Sequence, residues 1–200
     1  MTEATVLDKS NLPNSITENI HVVVEIPKGS NIKYEFDPTT GFLSVDRKLY
    51  TAMHYPCNYG FIPNTLEDDG DPVDVLVLGD WPVVPMSMIK AVPVGLLFTK
   101  DEEGNDSKII SVPNSKIDPR FANIRNIEDI PSYLLDEIKH FFEHYKELEP
   151  GKYVKVTGWG DRKSASEKIS EAIERFTNGD SSKGPRTVHS IGYRHASCLY

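Results

Sequence analysis

The sequence predicts an α+β domain, mainly β, built around a small closed barrel whose helices come late in the chain. Three observations point there. Short β-branched runs broken by turn residues fill the chain to about residue 115, helical periodicity appears only beyond residue 130, and no long linker or internal repeat intervenes. With 200 residues and 38% apolar content the chain can bury one sizeable core, so one domain is expected over 1–176, followed by a polar tail at 177–200.

The strands are read in order as HVVVEI (21–26), IKYEF (32–36), VDVLVL (73–78), IKAVPVGLLFT (89–99), SKIISV (107–112) and KYVKVTGW (152–159). The acidic stretch DEEGND (101–106) joins two of them as a hairpin loop. The first helix is SYLLDEIKHFFEHYKEL (132–148), entered after Pro131, with Leu134, Leu135, Ile138, Phe141, Phe142, Tyr145 and Leu148 at helical spacing. The second runs from about Ser164 to Phe176, with Ile169, Ala172, Ile173 and Phe176 on its inner face. After Thr177 the polar, Gly- and Pro-containing sequence shows no clear period and reads as a loosely ordered tail.

Composition narrows the function. A net charge of −8 argues against a nucleic-acid backbone as partner, although a small polyanion remains open if metal and local Lys and Arg accompany it. No stretch approaches eighteen apolar residues and the acidic MTEATVLDKS start lacks an export signal, so a cytoplasmic, membrane-free protein is expected. Cys57 and Cys198, without CxxC spacing, fit reduced thiols rather than a disulfide or a catalytic thiol.

The densest chemistry is DGDPVDV at 69–75, which places Asp69, Asp71 and Asp74 within six positions. At about 5 Å and an effective dielectric near 20, each pair of ionised carboxylates repels by about 3 kcal/mol, so gathering three calls for a divalent cation. Oxygen-only ligands favour a hard ion such as Mg²⁺, Mn²⁺ or Ca²⁺. Pro72 biases Asp71 toward extended backbone, which would send Asp69 and Asp71 to the same side at the entry to the strand. A solvated acidic turn accounts for the run equally well. An EF-hand does not, because the positions that need Gly and Glu, counted from Asp69, hold Asp74 and Asp80.

Other polar groups have spacing suited to a site. Lys33 and Glu35 share one strand face, as a site pair or as an ordinary surface ion pair, and Glu25 sits in an apolar strand. Arg47 alone reads as a surface charge. Tyr55 and Tyr59 flank a Pro, an Asn and a Gly in a turn that either aims a phenol into a pocket or packs it in the core. Asp101, Glu102 and Asp106 occupy the hairpin loop with Lys108 just beyond, and Tyr145 falls on the first helix's apolar stripe beside Lys146. HFFEH at 140–144 matches the H-x-x-E-H pattern of zinc metalloproteases, but His140 and His144 fall away from the stripe, which suits a solvent-facing or intersubunit pair instead of zinc.

Together these residues resemble soluble family I inorganic pyrophosphatase of the bacterial type, over about residues 16–176. The resemblance rests on VVVEIPKGSNIKYEFD, VDRKLYTAMHYPCNYGFIPNT, DGDPVDV, DEEGNDSK, VPNSKID and HFFEHYKELEPGKYVKVTGW. It implies a five-stranded OB-like barrel flanked by two C-terminal helices, and Mg²⁺-dependent hydrolysis of diphosphate to two orthophosphates, with Mn²⁺ or Zn²⁺ as substitute ions. By position, Asp69, Asp74 and Asp106 would hold the tighter metal, Asp74 being shared with a second, and Asp101 with Asp106 would serve metal arriving with substrate. Asp71 would be the general base. Lys33, Arg47, Tyr59, Lys108, Tyr145 and Lys146 would contact phosphate, Glu25 and Glu35 would lie around metal waters, and Tyr55 would support them. A homohexamer is also implied, while the tail beyond 176 has no counterpart. A single-strand-binding OB module conflicts with the acidic balance, and a calcium-stabilised structural protein would have no use for Lys33, Arg47 and Lys146.

Overall fold

The computed structural model describes residues 18–179. Along the chain come strands β1 (Ile20–Ile26), β2 (Ile32–Asp37), β3 (Phe42–Lys48), β4 (Asn58–Phe61), β5 (Asp74–Val77), β6 (Met88–Asp101) and β7 (Gly104–Pro113), then helix α1 (Ser132–His144), strand β8 (Val154–Gly160) and helix α2 (Arg162–Asn178). The main sheet runs β1-β4-β5-β7-β6-β8, and a further β1–β6 pairing closes five of these strands into a ring. This is the barrel with two late helices that the sequence predicts.

Closure depends on β6, fourteen residues long. Its first part, Met88 to Ala91, pairs with β1, while Leu96 to Asp101 pairs with β8. Between them the register against β7 shifts around Pro93 and Gly95, and such a bulge adds the bend that lets one strand serve two edges. Gly60 on β4 is obligatory for a different reason: a Cβ there would sit 1.9 Å from the Val23 carbonyl oxygen of β1.

Alternation on the strands divides the core. Val75, Val77 and Ile109 pack with Val22, Val24 and, from α2, Ala165, Ile169 and Ala172. Their neighbours Leu76, Leu97 and Ile110 pack beneath Ile138, Phe141, Phe142 and Tyr145 of the α1 region. Burial on both faces explains why these strands read as continuous apolar runs. α2 is capped by Asp161, whose carboxylate accepts from Ser164 N at 2.8 Å, and it ends at Gly179 with φ 60°.

Two strands were not legible. β3 is mostly exposed and shows no buried face, and β4 is four residues long with a glycine, so NYGF reads as a turn although it is a barrel strand. β2 and β3 form a separate two-stranded ribbon, attached where Phe36 and Leu43 meet Val23 and Phe61. Residues 69–71 form a turn rather than an extended entry: Asp71 N donates to Asp69 Oδ1 at 2.9 Å, Gly70 has φ 94°, and β5 begins only at Asp74. α1 stops at His144, and Tyr145 is its C-cap. No helix among the described residues is long and apolar enough to cross a membrane. The predicted tail lies, from residue 180 on, outside the described residues.

Candidate active site

Where the α1-facing side of the barrel passes beyond the helix, its outward residues change from apolar to charged. β5 and β7 run parallel with Val75 opposite Ile109, so Asp74 and Lys108, one step earlier on each strand, leave the same face. Asp106, two residues before Lys108, shares that face. On β4, Phe61 pairs with Asp74, and Tyr59 lies two residues away on the same side.

These groups meet in one cluster. Lys108 Nζ lies 2.8 Å from Asp74 Oδ2 and 2.8 Å from Asp106 Oδ1, and the Tyr59 hydroxyl donates to Asp74 Oδ2. Lys108 is only 3% exposed. Burial would lower its pKa, but the carboxylates of Asp74 and Asp106 outweigh that and hold it well above the usual lysine range. Desolvation, reinforced by Asp74 and Asp106, pushes the Tyr59 phenol well up, and burial likewise raises Tyr55 and Tyr145. Tyr59 and Tyr145 are therefore neutral O–H donors to the cleft at physiological pH.

The cluster floors a cleft of about 210 Å³. Of the sequence-predicted residues, Lys33, Tyr59, Asp69, Asp71, Asp74, Asp101, Asp106, Lys108, Tyr145 and Lys146 all line it, as do Glu25, Glu35 and Tyr55. Lys146 Nζ is 3.2 Å from Asp101 Oδ2 on the opposite wall. Glu25 is buried, and its carboxylate accepts from Phe36 N at 2.7 Å, tying β1 to the ribbon. On the ribbon, Lys33 pairs with Glu35 at 2.5 Å and with Asp46 at 3.3 Å. Tyr55 supports the floor with its ring 5.8 Å from that of Tyr59 and 4.8 Å from Phe141.

Arg47 is the exception. It does not line the cleft; its Nε donates to Glu149 at 3.0 Å and it also pairs with Asp46. Because Arg47 pairs in register with Lys33, it stands at the edge of the same opening. Glu102 points away as well, toward Lys152 at 2.6 Å; burial would raise its pKa, but that hydrogen bond and nearby donors bring it down to about 2.

Among the lining residues that the sequence reading did not assign to the site are Glu67, Glu103 and Asn105. Glu103 and Asn105 lie within the acidic hairpin DEEGND, which the sequence marks as a loop, whereas Glu67, just ahead of the aspartate run, carries no local signal of its own. Burial raises its pKa against the opposing effect of Lys168, its partner at 2.5 Å.

Nine carboxylates, Glu25, Glu35, Glu67, Asp69, Asp71, Asp74, Asp101, Glu103 and Asp106, face three lysines around this opening. Such a surplus repels any anion and attracts hard cations. No three acidic or histidine side chains among the described residues form a ready-made ion cage, since Lys108 stands between Asp74 and Asp106. The donors are nonetheless all oxygens in a wide opening, which suits an ion that keeps part of its water shell. His140 and His144 lie elsewhere, on the outer face of α1, with rings stacked 4.4 Å apart.

A family model described as inorganic pyrophosphatase matches residues 22–177. The inorganic pyrophosphatase of Sulfolobus acidocaldarius is 57% identical over 160 residues, covering 80% of this chain and 92% of that protein. That of Aquifex pyrophilus is 55% identical over 162 residues, covering 81% and 92%. Among solved structures, the inorganic pyrophosphatase of Helicobacter pylori superposes with a TM-score of 0.80 at 50% identity, covering 82% of this chain and 95% of that one. The Thermus thermophilus enzyme gives 0.78 at 46% identity, covering 88% and 98%.

Proposed function

The chain belongs to the inorganic pyrophosphatase family, and from that premise we propose that it hydrolyses inorganic diphosphate to two orthophosphates with Mg²⁺ and with Asp71 as general base. One observation carries the metal dependence: nine carboxylates surround the opening that a multiply charged anion has to enter. Only bound cations reconcile such a lining with such a substrate.

Asp69, Asp74 and Asp106 would hold the tighter ion, with Asp74 shared by a second, and Asp101 with Asp106 would take the ion that comes with diphosphate. When bound, Mg²⁺ supplies positive charge to the phosphate oxygens and acidifies water; Mn²⁺ or Zn²⁺ would substitute. Asp71 accepts the proton of the attacking water at its carboxylate. The water oxygen then bonds to one phosphorus in line as the bridging P–O bond breaks, and the second orthophosphate leaves.

The remaining residues stabilise the charge that collects on the leaving group. Tyr59 and Tyr145 serve as neutral donors, and Lys33, Lys146 and, from the edge, Arg47 as cationic ones. Lys108 must exchange a partner. Its three N–H donors are already directed at Asp74 and Asp106, so contact with phosphate requires one of those bonds to be released.

Release of orthophosphate from diphosphate, measured with Mg²⁺ and again with the ion chelated, tests the proposal. Turnover only with Mg²⁺ is expected; equal turnover without it would refute the metal dependence. A cytoplasmic homohexamer, with His140 and His144 at a subunit contact, completes the reading. Sedimentation of wild type and of a His140→Gln, His144→Gln double variant at pH 5 and pH 8 tests this, and identical, pH-independent distributions for both proteins would make the pair only a solvated helix face.

A further inference from the structure

The loop that carries Asp69 and Asp71 is held from behind by α2. At its base, Ile62 N donates to Val73 O at 3.0 Å, and Thr65 laces the interior, donating to Ile62 O at 2.6 Å and accepting from Val73 N at 2.9 Å. Above that base the holds come from the helix. Leu66 N donates to Ala172 O at 3.0 Å, Arg175 donates to Leu66 O at 2.8 Å and pairs with Asp68 at 3.1 Å, and Lys168 Nζ lies 2.5 Å from Glu67 Oε2.

Lys168, Ala172 and Arg175 follow the i, i+4, i+7 spacing of one helix face. Glu67 joins this face to the aspartates. Its side chain is bound to Lys168, and its backbone N–H donates to the Asp71 carbonyl at 2.7 Å, while Gly70 N donates back to Glu67 O at 3.2 Å. Four of the five residues from Glu67 to Asp71 are acidic, and unopposed repulsion would splay them. Lys168 and Arg175 neutralise Glu67 and Asp68 from the helix side, which leaves Asp69 and Asp71 to face the cleft.

We propose that Lys168 is a positioning residue: by clamping Glu67 it fixes the loop that presents Asp69 and Asp71, and thereby sets both cation affinity and turnover without touching substrate. This rests on the function proposed above. A purely electrostatic role predicts the opposite sign, because deleting a nearby positive charge should tighten a divalent cation.

The test combines calorimetric titration of Mg²⁺ without substrate and orthophosphate release from diphosphate. For Lys168→Ala the clamp predicts Mg²⁺ affinity and kcat each lower by about tenfold, with KM nearly unchanged. Lys168→Arg should restore most of both. Glu67→Ala should behave like Lys168→Ala, and the double variant should be no worse than either, as partners in one interaction are not additive. Lys163→Ala, which removes an exposed pair with Glu167 on the same helix, should match wild type. Melting temperatures separate loss of fold from loss of positioning. Unchanged or tighter Mg²⁺ binding in a folded Lys168→Ala protein, or additive losses in the double variant, would overturn the clamp. A wild type that binds Mg²⁺ but releases no orthophosphate would refute the activity instead, and the titration would still read the clamp.

Discussion

The barrel wall and the β2–β3 ribbon both send charged side chains into the same cleft, yet they hold them differently. On the wall, Asp74, Asp106 and Lys108 stand on β5 and β7, strands laddered on both sides, and Lys108 is 3% exposed. On the ribbon, Lys33, Glu35 and Arg47 pair only within two strands, and their neighbours Phe42 and Val45 are 73% and 65% exposed. The wall supplies mostly oxygen donors whose spacing is fixed by register, as a small cation with strict geometry demands. The ribbon supplies cationic donors on a less supported element, which suits a substrate that must enter and leave.

The largest break in this division is expected at the turn beside the wall. Asp71→Asn should lower kcat by about 10² to 10⁴, the usual contribution of a general base, while Mg²⁺ binding and melting temperature stay near wild type. Loss of Mg²⁺ affinity alone would make Asp71 a ligand, and unchanged kcat at neutral pH would remove it from the base role.

Next comes the wall itself. Asp74→Ala should raise the Mg²⁺ needed for half-activity by at least about tenfold, or ~1.4 kcal/mol of binding. Glu102→Ala, one strand end away and turned toward Lys152, should raise it far less. Coincident Mg²⁺ titration curves for the two variants would contradict the assignment.

The ribbon should respond in a different constant. Phe36→Leu loosens its anchor on Phe61, whose ring lies 6.2 Å away, at a cost of roughly 1 kcal/mol of packing. The expected outcome is a KM about fivefold higher with the Mg²⁺ requirement unchanged. A shift in the Mg²⁺ requirement instead would mean that the ribbon helps to hold the ion.

The smallest effect concerns the tip of the β6–β7 hairpin. Glu102 is held down to about 2 in the folded chain, against about 4.3 when unfolded, so its contribution to stability is present above the unfolded value. It is lost as pH falls from about 4.3 through about 2. Denaturant unfolding of wild type and Glu102→Gln should therefore differ at pH 7 and converge toward pH 2; a gap that persists unchanged at low pH would deny this role to the carboxylate.

The same division explains what the sequence could disclose. Strands buried on both faces, β1, β5, β6 and β7, announce themselves as apolar runs, and the aspartates stand out because like charges gathered in so short a stretch repel one another and call for a cation. β3 escaped because a ribbon wetted on most positions has no alternation to read, and β4 because four residues with a glycine resemble a turn. Arg47 is displaced from the cleft by Glu149, a partner 102 positions away that no local pattern reveals. Glu67 shows the converse, since only the approach of α2 turns an acid in a loop into part of the lining.

Calorimetric titration of Mg²⁺ into wild type, Asp74→Ala and Phe36→Leu, without substrate, separates wall from ribbon most directly. The division of roles predicts affinity lowered by about tenfold in Asp74→Ala and unchanged in Phe36→Leu. Equal weakening in both, or none in Asp74→Ala, would contradict it.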